Sequence, residues 1–175
     1  MTLKHPPSEG KFDTFPKLLL QNIQQFGDKT AMREKALGIW QSWTWAEAGE
    51  EIFTLAAGLS KLGFETNDKI AIIGDNRPHL YWSMIAGQAL GGIPVPMYQD
   101  SVAEEIKFVL SHAEARFAIV EDQEQVDKLL EVKTSLSKLE TIIFTDPRGM
   151  RTYKQPYLVS LRKLKNLGRN LLAST

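Results

Sequence analysis

The sequence contains no cysteine among its 175 residues. Disulfide bonds, cysteine nucleophiles and thiolate metal sites are therefore excluded, and this composition fits a reducing compartment. No apolar run approaches the roughly 18 residues that a membrane-spanning helix needs. Residues 1–13 also lack the apolar stretch of a signal peptide. We predict a cytoplasmic protein without a transmembrane segment, and peripheral association with a membrane stays open.

Motifs of the common catalytic sites are absent as well. The sequence has no G-x-x-x-x-G-K-[ST] loop for phosphates and no G-x-S-x-G nucleophile turn. Its three histidines, His5, His79 and His112, have no second histidine or carboxylate at a metal-binding spacing. His112 lies near the end of an expected helix, where a cation interacts favourably with the helix dipole. We therefore predict no catalytic residue and no metal ligand in these 175 residues.

Charge is balanced overall but distributed unevenly. There are 21 basic and 21 acidic residues, and every acidic one precedes residue 148. The basic residues after that point are Arg148, Arg151, Lys154, Arg162, Lys163, Lys165 and Arg169. Such a cluster can bind nucleic acid or anionic lipid. We favour a solvated terminal segment and predict no nucleic-acid partner.

The first third of the sequence reads as a helix, a small hairpin and a second helix. Apolar residues repeat at helical spacing over 15–26, and Gly27 is placed to end that helix. Residues 30–35 and 39–43 are typical of two short antiparallel strands. Thr44 and Glu47 then form a capping-box pattern before a helix that Gly63 ends. Three tryptophans in this region, Trp40, Trp43 and Trp45, are interpreted as packing residues rather than a base-stacking surface.

From residue 69 onward, strands and helices alternate. Apolar runs predict strands over 69–73, 93–97, 116–120 and 141–145, with helices over 78–90, 101–112 and 123–132 between them. Near-continuous apolar strands joined by helical crossovers indicate a parallel, Rossmann-like sheet covered on both faces. After Asp146-Pro147 we expect the alternation to stop and a helix to form over 158–172. The predicted division is a leader over 1–13, an α/β subdomain over 14–147 and a basic, helical tail over 148–175.

Local signals refine the alternating region. Pro94 and Pro96 lack backbone donors, so the strand over 93–97 should be short, irregular or at an edge. Ser101 opens another capping-box pattern, and Asp122 is a further candidate helix cap. These signals place helix starts directly after the strands.

Gly74 raises the question of a nucleotide site, because it follows a strand and precedes a helix. A helix N-terminus there could meet a phosphate. The segment Gly74-Asp75-Asn76-Arg77-Pro78, however, supplies one glycine where the dinucleotide fingerprint needs three. Our interpretation is that Gly74 makes the turn, Asn76 caps the helix and Pro78 lies in its first turn. A nucleotide-binding βαβ protein remains the alternative.

The ordered set of motifs over 14–170 resembles the N-terminal region of adenylate-forming acyl-CoA synthetases, and most of all the long-chain fatty acid CoA ligases. The matching pieces are the helix start Trp43 to Glu47, the strand followed by Asn76-Arg77-Pro78, the turn 89–96 with Met97-Tyr98, and the segments 146–151 and 167–169. The resemblance implies that the chain is part of the large N-terminal domain of that fold. It also implies ATP-dependent adenylation of a fatty acid, followed by thioester formation with CoA, in a full-length parent enzyme.

The resemblance implies that ATP, Mg²⁺ and CoA are needed by the parent enzyme. The family carries its phosphate-binding groups on a Ser/Thr/Gly-rich loop ending in lysine, on later motifs and on a C-terminal domain, none of which occurs in these residues. We therefore expect an inactive N-terminal fragment, with no cofactor bound by this chain alone. Tyr98 and Gln99 follow a parallel strand, where ligands bind in such sheets. They are the candidate lining residues of the acyl or CoA entrance.

Two further expectations concern partners. A stand-alone binding or interaction module that kept the scaffold without the chemistry is the alternative function. A subdomain separated from its neighbours should also expose apolar surface, and patches larger than a few hundred Å² usually become interfaces. We therefore expect self-association.

Overall fold

The computed structural model describes residues 13–174. It divides into two compact units, Met1–Gly49 and Glu50–Thr175. The predicted leader over 1–13 lies outside the described residues except for Asp13. No helix within the described range is long and apolar enough to cross a bilayer.

The first unit contains the predicted helix and hairpin. Its elements are α1 (Phe15–Phe26), β1 (Thr30–Ala36), β2 (Ile39–Thr44) and the start of α2 (Trp45–Lys61). Strands β1 and β2 pair antiparallel. The capping box of α2 is confirmed, since the Thr44 N–H donates to Glu47 Oε2 at 2.8 Å and the Glu47 N–H donates to Thr44 Oγ1 at 3.2 Å.

The second unit is a parallel sheet with crossover helices, as the sequence predicts, and it has five strands where four were expected. Its strands are β3 (Lys69–Ile73), β4 (Ile93–Met97), β5 (Phe117–Val120), β6 (Thr141–Phe144) and β7 (Leu158–Ser160). Its helices, besides most of α2, are α3 (Pro78–Ala89), α4 (Ala103–Ala113), α5 (Gln123–Val132) and α6 (Leu161–Ala173). The spatial strand order is β4-β3-β5-β6-β7.

Helices cover both faces of this sheet. On one face, side chains that alternate along β3, β5 and β6 form a buried core with α4 and α5, to which Ile73, Val120, Ile106, Leu110 and Leu129 belong. On the other face, α3 approaches β3 so closely that a Cβ on Gly87 would lie 3.1 Å from Ile70 Cγ2. The central strands β3 and β5 are therefore buried on both sides, which explains their continuous apolar runs.

The alternation does not stop after Asp146-Pro147. Residues Leu158–Ser160 form β7, which pairs parallel with β6 through Leu158 opposite Ile142 and Val159 opposite Ile143. The predicted helix begins only at Leu161, where Ser160 Oγ accepts the Lys163 N–H at 3.2 Å. The prediction missed this strand because three residues are too few to show a period of two, and Leu158 also matches the helical spacing.

Of the other three predicted caps, two are wrong and one is confirmed. Helix α4 begins at Ala103, so Ser101 lies outside it, and the Val102 N–H donates to Glu105 Oε2 at 3.2 Å. Asn76 does not cap α3; its Oδ1 accepts the Tyr81 hydroxyl at 3.3 Å, and Arg77 is the residue before the helix. The Asp122 cap on α5 is confirmed, because its Oδ1 accepts the Gln125 N–H at 3.2 Å.

Strand β4 lies at the edge of the sheet, as its prolines predict. The Ile93 N–H donates to the Asp68 carbonyl at 2.8 Å, so residues 93, 95 and 97 bond to β3. In a parallel ladder the alternate residues face the other way. Pro94 and Pro96 therefore stand at the two positions whose backbone nitrogens face the open edge. This edge has carbonyls but no N–H donor along the interior of the strand, which hinders the addition of another strand.

Restoring these donors should promote pairing between molecules. We expect the double variant Pro94→Val, Pro96→Val to self-associate more than the parent chain at the same concentration. An open edge with both donors and acceptors is a template for another strand. Size-exclusion chromatography with light scattering measures this difference. Pro156→Val, in the exposed turn before β7, is the matched control. Equal molar masses for the parent and the double variant would contradict the proposed role of the prolines.

An ion-pair network joins the segments at the N-terminal ends of three strands. Arg116, just before β5, donates from Nη1 to Asp68 at 2.6 Å and from Nη2 to Glu140 at 2.7 Å. Its Nε also donates to Glu140 at 3.1 Å, which makes that pair bidentate. The hydrogen bonds from Arg116 hold the pKa of the Glu140 carboxyl below its ordinary value. The network thereby joins the segments that lead into β3, β5 and β6.

The lowered pKa of Glu140 predicts a contribution to stability that acid removes. As the pH falls below 4.5, the ordinary pKa of this carboxyl, the unfolded chain binds the proton more readily than the folded chain. The contribution is complete above that pH and is lost as the pH passes through the lower folded-state pKa. We expect Glu140→Gln to reduce stability near neutral pH by up to about 1 kcal/mol, since the carboxylate is half exposed. The difference from the parent should shrink in acid.

Urea unfolding of the parent and Glu140→Gln at a series of pH values tests this prediction. Glu131→Gln, which changes an exposed carboxylate on α5, is the control. If the difference in the free energy of unfolding between the parent and Glu140→Gln stayed constant from neutral pH into acid, the ion pair would make no electrostatic contribution to stability.

The basic segment 148–175 is partly engaged within the fold. Lys165, on α6, forms an ion pair with Glu51 of α2 at 2.6 Å, and both side chains are largely buried. Arg148 forms an ion pair with Asp146 at the end of β6. Arg162, Lys163 and Arg169 are exposed. The charge of this segment is therefore shared between intramolecular pairs and a solvated helix surface.

Candidate functional site

The strand order creates a switch point between β3 and β5. From β3 the chain crosses to β4 on one side, and the next strand, β5, adds on the other side. Crevices that bind ligands in open α/β sheets lie at the carboxyl ends of strands at such a point. The C-terminal edge of β3, β4 and β5 is therefore where a site is expected.

A carboxylate of the chain itself fills the crevice between β3 and β5. Glu121 follows β5, and its Oε2 accepts the Asp75 N–H at 2.6 Å while its Oε1 accepts the Arg77 Nε–H at 2.5 Å. The Glu121 side chain is only 13% exposed. Its backbone is also fixed, since the Glu121 N–H donates to the Ile73 carbonyl at 3.0 Å. An internal carboxylate therefore occupies the crevice beside the loop that joins β3 to α3.

Gly74 is needed for this close approach. A Cβ at Gly74 would lie 2.7 Å from Glu121 Cβ and 2.8 Å from Leu80 Cδ1, distances that real side chains do not tolerate. The glycine thus lets the loop after β3 pack against Glu121 and the start of α3. This geometry agrees with the interpretation of Gly74 as a turn residue.

A cleft lies beside this carboxylate, between the ends of β3 and β4. It measures about 430 Å³ and is lined by Gly74, Asp75, Asn76, Pro96, Met97, Tyr98, Gln99 and Asp100. A smaller, apolar recess of about 80 Å³ adjoins it, where Ile72, Leu80 and Met84 form part of the wall. The cleft therefore combines a polar, acidic mouth with an apolar floor.

Both residues proposed from the sequence line this cleft. The Tyr98 side chain is 86% exposed at its mouth. The Gln99 carbonyl accepts Lys128 Nζ at 2.6 Å, which ties the loop after β4 to α5. The structure thus brings Tyr98 and Gln99 together with Asp75 and Asn76, and their role in binding stays a prediction.

The family is settled by comparison with known proteins. A family model described as AMP-binding enzyme matches residues 19–165, which is most of the chain. The chain belongs to the AMP-binding enzyme family.

Curated relatives of this AMP-binding chain include acyl-CoA ligases. It is 27% identical over 158 residues to the long-chain-fatty-acid–CoA ligase ACSBG2 of Xenopus laevis, covering 90% of this chain and 21% of the relative. It is 26% identical over 140 residues to the long-chain-fatty-acid–CoA ligase FadD15 of Mycobacterium tuberculosis, covering 79% and 23%. A third relative, 4-hydroxybutyrate–CoA ligase 2 of Metallosphaera sedula, is 29% identical over 133 residues, covering 75% and 23%. The chain spans about a fifth of the length of these relatives.

Solved structures share the fold at low sequence identity. The anthranilate CoA ligase AuaEII, in complex with anthranoyl-AMP, superposes with a TM-score of 0.74 at 19% identity, covering 86% of this chain and 27% of that chain. A long-chain-fatty-acid CoA ligase from Rhodopseudomonas palustris, itself named as putative, gives a TM-score of 0.72 at 22% identity, covering 86% and 36%. At these identities the likeness establishes the fold of the second unit's sheet and its helices.

A second cleft lies along the same sheet edge of the AMP-binding chain, beyond β5 and β6. It measures about 300 Å³ and is lined by Asp122, Gln123, Glu124, Asp146, Arg148 and Gly149. The hydrogen bond from Arg148 lowers the pKa of the Asp146 carboxyl. Tyr153 is held beside this cleft by two hydrogen bonds. Its hydroxyl donates to Asp127 at 2.5 Å and accepts Gln123 Nε2–H at 2.9 Å. The hydrogen bond to Asp127 raises the pKa of Tyr153.

Sequence reasoning missed Glu121, Arg148 and Tyr153. Glu121 lies 46 residues from Asp75, so no local motif connects them. One signal was available: Glu121-Asp122 directly follows an apolar strand, and the ends of parallel strands share one edge with the loop after β3. Within the local pattern, only Asp122 of this pair has an evident role, as a helix cap.

These residues do not fit the phosphates of ATP. The Asp75 N–H and the Arg77 guanidinium already bond to Glu121, and the adjoining cleft carries the carboxylates of Asp75 and Asp100. Within residues 13–174, no group of three or more His, Asp or Glu side chains could hold a metal ion. The site of this chain can line and shape a ligand cleft.

Proposed function

We propose that this chain is the amino-terminal part of a long-chain fatty acid CoA ligase. In the full-length enzyme, the fatty acid carboxylate attacks ATP to form an acyl-adenylate with release of pyrophosphate, and the CoA thiol then displaces AMP. The observation that carries the proposal is the match of the AMP-binding family model over residues 19–165. Support for the substrate class comes from the long-chain-fatty-acid–CoA ligases among the relatives.

In this proposal the chain supplies structure and a wall rather than chemistry. Tyr98 and Gln99 line the acyl or CoA entrance, where the exposed Tyr98 ring offers apolar surface and the Lys128 bond to the Gln99 carbonyl holds the loop in place. ATP, Mg²⁺ and CoA are used by the full-length enzyme. The chain alone neither forms an acyl-adenylate nor transfers an acyl group, because Glu121 engages the Asp75 N–H and the Arg77 guanidinium, and Asp75 and Asp100 make the cleft mouth acidic.

The test is to read the coding DNA beyond the codon for Thr175 and to assay its product. The proposal expects the reading frame to continue into a Ser/Thr/Gly-rich loop that ends in lysine. The complete product should release pyrophosphate and form acyl-CoA with ATP, Mg²⁺, CoA and a long-chain fatty acid. The purified 175-residue chain, assayed in parallel, is the matched control and should be inactive.

Two results would overturn the proposal. A stop codon directly after Thr175 would favour the alternative, a stand-alone binding or interaction module. Acyl-CoA formation by the 175-residue chain would show that the chemistry lies within it after all. If the complete product acted on 4-hydroxybutyrate but on no long-chain acid, the assignment to a CoA ligase would stand and the long-chain substrate class would be excluded.

A further inference from the structure

The tip of the β1–β2 hairpin presents an apolar side chain in an unfavourable backbone conformation. Leu37 and Gly38 connect the strands with φ angles of +50° and +81°, the pair of positive values that a type I′ turn requires. Asparagine, aspartate or glycine normally stands at the position of Leu37, because a branched side chain with positive φ is strained. The Leu37 side chain is nevertheless 99% exposed, so it gains no packing within this chain.

Two more large apolar side chains project beside Leu37. Ile39 is 65% exposed and Trp40 is 59% exposed. Trp40 was expected to be a packing residue of the hairpin. It contacts Arg33, but more than half of its surface is exposed to solvent. Residues 36–40 carry no charge, so the hairpin ends in an apolar wedge formed by Leu37, Ile39 and Trp40.

Two cations stand behind the tip on the face of the hairpin that carries Trp40, whereas Ile39 lies on the opposite face. Lys35 pairs directly with Trp40 in the strand register, and Arg33 pairs with Ser42. The Arg33 guanidinium carbon lies 5.3 Å from the centre of the Trp40 ring. Side chains alternate between the faces of a strand, so Glu34 points to the opposite face. Arg33 and Lys35 are both exposed.

We infer that the hairpin tip docks this protein on an anionic lipid bilayer. The apolar wedge matches the boundary between headgroups and acyl chains, tryptophan favours that depth, and the two cations behind it meet the headgroup phosphates and carboxylates. Charge complementarity favours an anionic bilayer over an apolar pocket of a protein, because Arg33 and Lys35 lie directly behind the apolar tip, at the depth of the headgroups. With three apolar side chains and two cations, docking is weak and reversible.

The test is flotation of the full chain with vesicles of phosphatidylcholine alone and of phosphatidylcholine mixed with an equal part of phosphatidylserine. We expect binding to the mixed vesicles and much weaker binding to the neutral ones. The double variant Leu37→Asn, Ile39→Thr should lower the partition coefficient at least about tenfold. Asparagine tolerates positive φ and threonine favours strands, so this variant should fold at least as well as the parent.

Two further variants separate the contributions. Arg33→Gln with Lys35→Gln should lower binding to the mixed vesicles about tenfold and abolish the preference for phosphatidylserine. Phe108→Gln removes another exposed aromatic side chain, 72% exposed on α4, and should leave binding unchanged. The inference is overturned if the parent does not float with mixed vesicles, if it binds neutral vesicles equally well, or if the wedge variant binds like the parent.

Discussion

Replacing Glu121 with alanine should lower the free energy of unfolding by about 2–3 kcal/mol. The substitution leaves the Asp75 N–H and the Arg77 guanidinium without the carboxylate that they share, in a crevice where Glu121 is 13% exposed. Leaving the Asp75 N–H without its acceptor in this crevice costs more than the net gain of an ordinary hydrogen bond, and Arg77 also loses an ionic contact. Urea unfolding followed by circular dichroism measures the change.

Two variants control this experiment. Glu121→Gln keeps one acceptor oxygen for the Asp75 N–H but loses the charge facing Arg77, so we expect an intermediate loss of stability. Glu124→Ala removes a carboxylate that also pairs with a cation, Lys128, at 2.8 Å, but its side chain is 69% exposed. An exposed pair of this kind contributes less than about 1 kcal/mol. Equal effects for Glu121→Ala and Glu124→Ala would show that the crevice carboxylate has no special structural role.

The Gly168→Ala substitution, which adds one methyl group, should also lower the stability of the chain strongly. In α6, a Cβ on Gly168 would lie 2.0 Å from the Thr54 carbonyl oxygen of α2 and 2.9 Å from the Gly58 nitrogen. From the side of α2, a Cβ on Gly58 would lie 2.4 Å from the Leu164 carbonyl oxygen of α6. The two glycines thus let the backbones of α2 and α6 touch. Alanine improves helix propensity by about 1 kcal/mol, but forcing the helices apart costs about 3 kcal/mol or more.

We therefore expect Gly168→Ala to destabilise the chain by at least about 2 kcal/mol net, and Gly58→Ala to act in the same direction. Gly87→Ala is the control, because its Cβ would lie 3.1 Å from a side-chain methyl of Ile70, which can shift. Thermal and urea unfolding of the three variants rank them. A stabilised Gly168→Ala variant would mean that α2 and α6 do not pack at backbone contact.

The sequence predicted the alternating elements well, because their signals are local. Strand β3 and helix α5 have the predicted bounds, and β4 lies at the edge that Pro94 and Pro96 indicate. Long apolar runs and proline positions act within a few residues, so tertiary contacts seldom override them. Strand β7 was missed because its three residues gain their strand conformation from pairing with β6.

The candidate site was less predictable, because contacts distant in sequence build it. Tyr98 and Gln99 could be proposed from their place after a parallel strand. The carboxylate that fills the crevice could not, since Glu121 meets Asp75 only through the strand order β3-β5. Helix caps failed for a related reason: Asn76 bonds to Tyr81 instead of the backbone of α3. A cap motif indicates a helix start, while competition among nearby partners decides which residue caps it.

Titration of the 175-residue chain with ATP by calorimetry tests the account most directly. Glu121 fills the crevice at the switch point and Asp75 and Asp100 line the cleft, so the account predicts no saturable heat up to millimolar ATP, with or without Mg²⁺. A saturable isotherm for the parent chain that disappears in a Gly74→Ala variant which still folds would contradict it, because the phosphate would then bind where the structure places the carboxylate.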